Sequence, residues 1–168
     1  MDVIDLADYG PALRAEIADG DPDPAGVAHL GLVWRDKTGH VGVRHRGRLV
    51  AHAGWLPIHL RLGERRVAAA GLGGVLVHPW LRGQGVGALV VRAVMDRMRE
   101  AGLPVGVLFC REQLVPYYAR LGWQCVDGEV VVDQPDGPVA MPLRTCWSAL
   151  HPHPPAVHAP LTVDGLPF

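Results

Sequence analysis

The sequence lacks three things whose absence narrows the field: a run of basic residues, a long apolar stretch, and paired cysteines. Its 16 basic and 17 acidic side chains are interspersed and leave a formal net charge of -1, so there is no electrostatic footprint for nucleic acid. No apolar run approaches a membrane span, and the opening residues, Met1-Asp2-Val3-Ile4-Asp5, carry early acids instead of the basic and then apolar order of an export signal. No membrane partner is predicted, and the expected location is the cytoplasm. Cys110, Cys125 and Cys146 are odd in number and show no Cys-x-x-Cys spacing, which argues against a disulfide framework or a zinc knuckle and fits a reducing compartment. His151, His153 and His158 fall in a proline-rich stretch without further ligands at recognisable spacing, so no metal is expected.

With 49% hydrophobic and 20% charged residues, the 168-residue chain has the composition of one folded domain, spanning 1–168, with a Pro/His-rich tail from about residue 144. Leu13 and Ile17 at helical spacing predict a short helix between Asp8 and Asp19, closed by the breaker cluster Gly20-Asp21-Pro22-Asp23-Pro24. From His40 the pattern becomes that of strands: Val41 and Val43, a turn at Gly47, then Leu56, Ile58, Leu60 and Leu62 at period two, and a return over Arg65 to Val77 after Gly63-Glu64. Because this third strand is apolar throughout, it is expected at the centre of the sheet. A helix follows whose apolar stripe is Val86, Leu89, Val90, Ala93, Val94 and Met98, stopped at Gly102. Val105 to Phe109 reads as a buried parallel strand, and a second helix ends at Leu121-Gly122. Trp123 to Val132 and Val139 to Leu143, around the turn Asp136-Gly137, read as a closing hairpin. No regular structure is assigned after Arg144.

The densest information lies in Val75-Leu76-Val77-His78-Pro79-Trp80-Leu81-Arg82-Gly83-Gln84-Gly85-Val86-Gly87, where a strand runs through a glycine-rich turn into a helix. Three glycines leave no side chain between the backbone and a ligand, and the amides at the positive end of the helix suit a pyrophosphate. Gly83-Gln84-Gly85-Val86-Gly87-Ala88 also satisfies the loose dinucleotide pattern G-x-G-x-x-G/A, with Glu112 after the next strand. Against that reading, five residues separate the strand from the first glycine, and the upstream strands form hairpins instead of a βαβ unit. A sharp turn with no ligand is the third alternative.

Residues 75 to 87, taken with Pro116-Tyr117-Tyr118-Ala119-Arg120-Leu121-Gly122-Trp123, resemble the Gcn5-related N-acetyltransferase (GNAT) superfamily. Its acetyl-CoA signature, Gln or Arg followed at the third and fifth positions by Gly and Gly or Ala, is matched by Arg82, Gly85 and Gly87. Its second motif, an aromatic pair leading to Gly and an aromatic, is matched by Tyr117 to Trp123. Gly47-Arg48-Leu49-Val50-Ala51-His52-Ala53 and the hairpin after it are most similar to the aminoglycoside 2'-N-acetyltransferases. The resemblance implies a mixed, partly splayed β-sheet flanked by helices, acetyl-CoA as cosubstrate without a metal, a primary amine of a small molecule as acceptor, and a homodimer. It places the cofactor on Val75, Leu76, Val77, Arg82, Gly83, Gln84, Gly85, Val86 and Gly87.

Acetyl transfer to an amine needs an unprotonated nitrogen, donors for the developing oxyanion, and a proton for the departing thiolate. If Val75 to Val77 diverge from the neighbouring parallel strand, the amides of Val75 and Val77 are free to act as those donors. Tyr118 occupies the family's proton-donor position. The family's glutamate position is Gly73 here, which leaves the base among His52, His59, His78, Glu112 and a bound water, or widens the acceptor site. Cys110 reads as a packing residue, and Trp55 faces either the acceptor groove or the core. A noncatalytic acyl-CoA-binding module is the alternative function.

Overall fold

The computed structural model describes residues 1–168, and a single ten-stranded mixed sheet dominates it. The alternation read from the sequence is that of a long strand whose Leu56, Ile58, Leu60 and Leu62 are buried while Pro57, His59 and Arg61 face solvent. In chain order the strands are β1 (Asp2–Leu6), β2 (Gly39–His45), β3 (Arg48–Leu62), β4 (Arg65–Val77), β5 (Val105–Cys110), β6 (Gln124–Cys125), β7 (Val130–Val132), β8 (Val139–Ala140), β9 (Arg144–Ala149) and β10 (Leu161–Val163). The helices are α1 (Pro11–Ala18), α2 (Val86–Glu100) and α3 (Val115–Ala119).

The hairpin of β3 with β4 is the spine of the sheet. On the far side of β3, β2 pairs with its first half and β10 with its last three residues. On the far side of β4 lies β5, parallel, but only Ala70, Gly71 and Leu72 find partners there, in Gly106, Val107 and Leu108. Beyond Leu72 the two strands part. The cause is a bulge: between the pairs Gly54–Gly73 and His52–Leu76, β4 uses two residues where β3 uses only Ala53, and Gly74 adopts φ +60. An extra residue bends the bulged strand and ends its pairing, so β4 leaves β5 while staying joined to β3.

One core lies beneath α2. Val86, Val90, Val91, Val94, Met95 and Met98 pack there with Val41, Val43, Ala53, Ala70, Leu72 and Leu108. The stripe differs from the sequence expectation at its rim: Leu89 is 37% exposed, while Val91 and Met95 are buried. A second core, built on Leu56, Ile58 and Leu60, is closed by Val130, Val132, Leu161, Val163 and Phe168. The latter three correct the expectation of an irregular end. The residues from 144 contribute β9, antiparallel to β5, and β10, which lies between β3 and parallel β7. Strand β1 was also missed; it pairs along β2 with only one half-buried face. The closing hairpin is divided, since β6 pairs with β9 and only β7 pairs with β8. No helix is long and apolar enough to cross a membrane.

These burials separate two neighbours on β3. Leu60→Ala, at a fully buried position, is expected to lower unfolding free energy by about 2–5 kcal/mol. Arg61→Ala, which removes one of two exposed ion pairs to Asp164, should cost less than about 1 kcal/mol. Urea denaturation of the two variants measures the contrast.

Candidate active site

Where β4 and β5 part, the structure has two cavities, each of about 640 Å3, on either side of the bulge and both bordered by Leu76. That volume is within the range of small-ligand sites. Seven buried side-chain polar atoms in the whole chain lack a hydrogen-bond partner, and five of them belong to residues lining these cavities. Buried polar groups are ordinarily paired, and most of the unpaired ones here belong to residues around the two cavities.

The first cavity is bordered by Val75, Leu76, Val77, Arg82, Gly83, Gly85 and Gly87, together with Tyr117 and Tyr118. Arg92, Arg111 and Arg120 join Arg82 on its wall, and no carboxylate faces them. Gly83 and Gly85 have φ +76 and +83, and a Cβ at either would meet nothing within 4 Å, which leaves open space over the turn. Gly85 caps the 15-residue helix α2 with no side-chain hydrogen bond to its first amides, so those amides keep their capacity for an anion. The orphaned atoms are Arg111 Nε and Tyr117 Oη. Four cations, an open glycine turn and a helix N-terminus fit the pyrophosphate and phosphate of coenzyme A.

Two of the predicted contacts differ in kind. The Gln84 side chain turns back to donate to the Trp80 carbonyl at 2.6 Å, and the Val86 side chain is buried in the core beneath α2, so neither residue has its side chain on the cavity wall. Arg82 Nε donates to the Val77 carbonyl at 3.1 Å, which ties the turn to the end of β4. Tyr118 is 6% exposed, and burial pushes its phenol well above the usual range. It stands edge-on to Trp123, whose ring contacts Gly106 of β5. Behind it Cys110 is buried and Cys125 Sγ lies 2.9 Å from Cys146 Sγ, so thiols far apart in sequence meet in one place.

The second cavity lies on the other side of Gly73 and Gly74 and takes its walls from Tyr9, the 34–37 segment, His40, His52 and Phe168. His52 is 1% exposed. Its Nδ1 is 2.8 Å from the Gly74 carbonyl, which accepts only, so Nδ1 carries the hydrogen. His52 Nε2 then accepts from His40 Nδ1 at 3.0 Å, and His40 Nε2 is left with a lone pair. The Tyr9 ring stacks on His52 at 3.5 Å and 5°. Burial pulls His52 down to about 3 and, with Lys37 adding to it, lowers His40; the Lys37 carbonyl acts the other way by favouring protonated His40.

Of the sequence candidates for the base, only His52 lines this cavity. His59 is exposed on the outer face of β3, Glu112 is exposed beside Arg144, and His78 packs against Trp80. Gly73 does not widen the site: a Cβ there would lie 2.8 Å from Lys37 Cε and 2.8 Å from the Phe168 main-chain carboxyl carbon, so the room is already filled. Trp34 lines the cavity in place of Trp55, which packs on the core beneath α2. Sequence reasoning missed Tyr9, Arg35, Lys37 and His40. The hairpin register that sets His40 diagonal to His52 was the one available signal for any of them.

Residues 32–126, more than half of the chain, match the family model described as an acetyltransferase (GNAT) domain. The chain belongs to that family, and its curled mixed sheet has the GNAT fold. Among solved structures it is similar to a GCN5-related N-acetyltransferase from Kribbella flavida, with 27% identity, covering 74% of this chain and 34% of that one, at a TM-score of 0.54. The chain thus spans about a third (34%) of that protein. It is also similar to YhbS, a GNAT family N-acetyltransferase from Escherichia coli in complex with CoA (12% identity, 96% and 87% covered, TM-score 0.62). An aminoglycoside 6'-N-acetyltransferase complexed with coenzyme A aligns with 16% identity over 92% and 100% of the two chains, at a TM-score of 0.59. At such identities the last two show the fold alone. No curated protein sequence matches the chain.

The buried histidine gives stability a pH dependence. The unfolded chain takes up a proton near pH 6.5 that folded His52 refuses down to about 3, so this contribution is complete above about pH 6.5 and is lost as pH falls toward 3. Between pH 6.5 and about 5 it amounts to about 2 kcal/mol. Urea midpoints across that interval should fall in the wild type and fall by visibly less in His52→Gln.

Proposed function

We propose that the protein transfers the acetyl group of acetyl-CoA to a primary amine of a small molecule. The observation that carries this reading is the pair of cavities meeting at Leu76, one walled by four arginines around an open glycine turn and the other holding a histidine with a free ring nitrogen. Acetyl-CoA, when bound, supplies an activated thioester and a thiolate leaving group.

The chain's residues cover the remaining requirements. The edge of β4 that faces β5 has no ladder partner beyond Leu72, so the amides there serve as donors to the oxygen on which negative charge develops. Such preorganised donors are worth roughly 3 kcal/mol each. His40 takes the proton of the amine at Nε2. His52 acts only through it, holding the ring and its tautomer. Burial keeps His40 neutral at neutral pH. Tyr118 Oη holds the proton for the departing sulfur. Its raised proton affinity is matched because the same apolar walls raise that of a thiolate beside it.

The test is thiol release from acetyl-CoA over a panel of amines, aminoglycosides included, with coenzyme A binding measured by calorimetry on the same preparation. Tyr118→Phe is expected to lower kcat by about 100-fold or more and leave coenzyme A binding within a few fold. Binding without turnover of any amine would instead support the noncatalytic acyl-CoA-binding module. Absence of binding would contradict both.

A further inference from the structure

We propose that Cys125 and Cys146 form a redox-active dithiol, which an oxidant of the peroxide or disulfide class closes into a bond stapling β6 to β9. The assignment is independent of the acetyl-transfer reading.

Strand register brings the thiols together. Cys125 of β6 pairs directly with Cys146 of β9, and Cys146 in turn pairs with Leu108 of β5, two residues before Cys110. Residues paired across strands, and those two apart along a strand, share a face, so all three sulfurs belong to the face beneath α2. The Val126 amide donates to the Thr145 carbonyl at 2.9 Å. The adjacent Cys125–Cys146 pair is therefore one without main-chain hydrogen bonds, the kind whose side chains come closest. Cα atoms of such a pair stand about 4.5 Å apart, inside the range of roughly 4.4–6.8 Å that a disulfide spans. The two sulfurs are 2.9 Å apart, about 0.9 Å more than a disulfide bond. Cys110 lies opposite Arg144 and so diagonal to Cys146. Diagonal neighbours are about 7–8 Å apart at Cα, too far for that bond, which leaves Cys125 as the partner of Cys146.

Cys146 is 1% exposed, whereas Cys125 is half-buried, so a reagent enters at Cys125. With hydrogen peroxide, the Cys125 sulfur attacks one oxygen, the O–O bond breaks, and a sulfenic acid and one water result. The Cys146 sulfur then displaces the sulfenic hydroxyl as a second water, so the two thiols together lose two protons and two electrons. With a small disulfide, Cys125 forms a mixed disulfide and frees one thiol, and attack by Cys146 frees the second. Burial, reinforced by Cys146, pushes the Cys125 thiol up to about 11, and the Arg144 guanidinium acts against this. Arg144 is shared with Glu112 and Asp127 at 3.6 and 3.7 Å. The hydrogen bond to Cys110 and burial raise Cys146 as well, and Tyr118 of α3 faces both Cys110 and Cys146. Thiolate is scarce at neutral pH, so closure is slow there and faster in mild alkali.

The staple would reinforce a weakly held segment. Strand β6 is only two residues long. Between it and α3, the Trp123 amide donates to the Tyr118 carbonyl at 3.1 Å and Ser148 Oγ donates to the Gly122 carbonyl at 3.0 Å. A covalent link between residues 125 and 146 fixes this stretch to β9 and restricts the unfolded chain.

The experiment exposes the folded, reduced protein to hydrogen peroxide or to glutathione disulfide in mild alkali, blocks remaining thiols, and maps tryptic peptides without reduction. Cleavage after Arg99, Arg111, Arg120 and Arg144 puts each cysteine in its own peptide: 100–111, 121–144 and 145–168. Peptides 121–144 and 145–168 should appear joined, with the intact chain lighter by two hydrogens and Cys110 still free. The urea midpoint should rise on oxidation and return to its starting value with dithiothreitol. Cys125→Ser should show neither the joined peptides nor the rise, whereas Cys110→Ala should show both. Three free thiols after treatment, a bond involving Cys110, a bond between two chains, or single-thiol oxidation without a bond overturns the proposal. So does a joined pair that leaves the urea midpoint unchanged or lowers it.

Discussion

The hydrogen bond from His52 Nδ1 to the carbonyl of Gly74 is the contact on which the site depends. It holds a β-bulge near the open end of the sheet's longest hairpin, at a residue whose φ of +60 is strained for any side chain. Because β4 bends there, its last residues stay on β3 and leave β5, which ends their pairing after Leu72. The gap thus formed has the glycine turn and α2 at one end and the His40–His52 pair at the other. Tyr9 stacked on the imidazole closes the water out, which strengthens the bond and keeps His52 uncharged.

The two sides of the gap carry different electrostatic designs. On the cofactor side, four arginines meet no acid within the chain, as expected of a surface whose counter-charges arrive with the ligand. The opposite side mixes carboxylates, cations and neutral imidazoles, and its Asp8, Arg14, Arg35, Asp36 and Lys37 form no ion pair with one another. Gly73 links the two designs. The absence of a side chain at Gly73 lets the Lys37 stem pass between the strands and the Phe168 main chain.

Local pattern carried much of the fold. Period-two leucines fixed the inward face of β3, and glycines at positive φ marked the turn before α2, because both are properties of a few neighbouring residues. Strands β9 and β10 were not legible, since Arg144–Ala149 and Leu161–Val163 are short and become strands only by pairing with β5, β3 and β7. The same distinction divides the site. The cofactor side lies in one continuous stretch, 75 to 87, with Tyr117 and Tyr118 added by a second local motif. The acceptor side is assembled from α1's approach, the segment before β2, the bulge and Phe168, none of which has a sequence period. The bulge itself depends on one extra residue in β4 relative to β3, a difference visible only once the register is known.

Amide hydrogen exchange along β4, read by nuclear magnetic resonance with and without coenzyme A, tests this account most directly. The amides of Val75–Val77 that face β5 should exchange quickly in the free protein and become protected when coenzyme A binds, while those of Ala70–Leu72 stay slow in both states. Slow exchange of the 75–77 segment in the free protein, or no change on adding coenzyme A, would contradict the claim that the bulge frees this strand edge for the ligand.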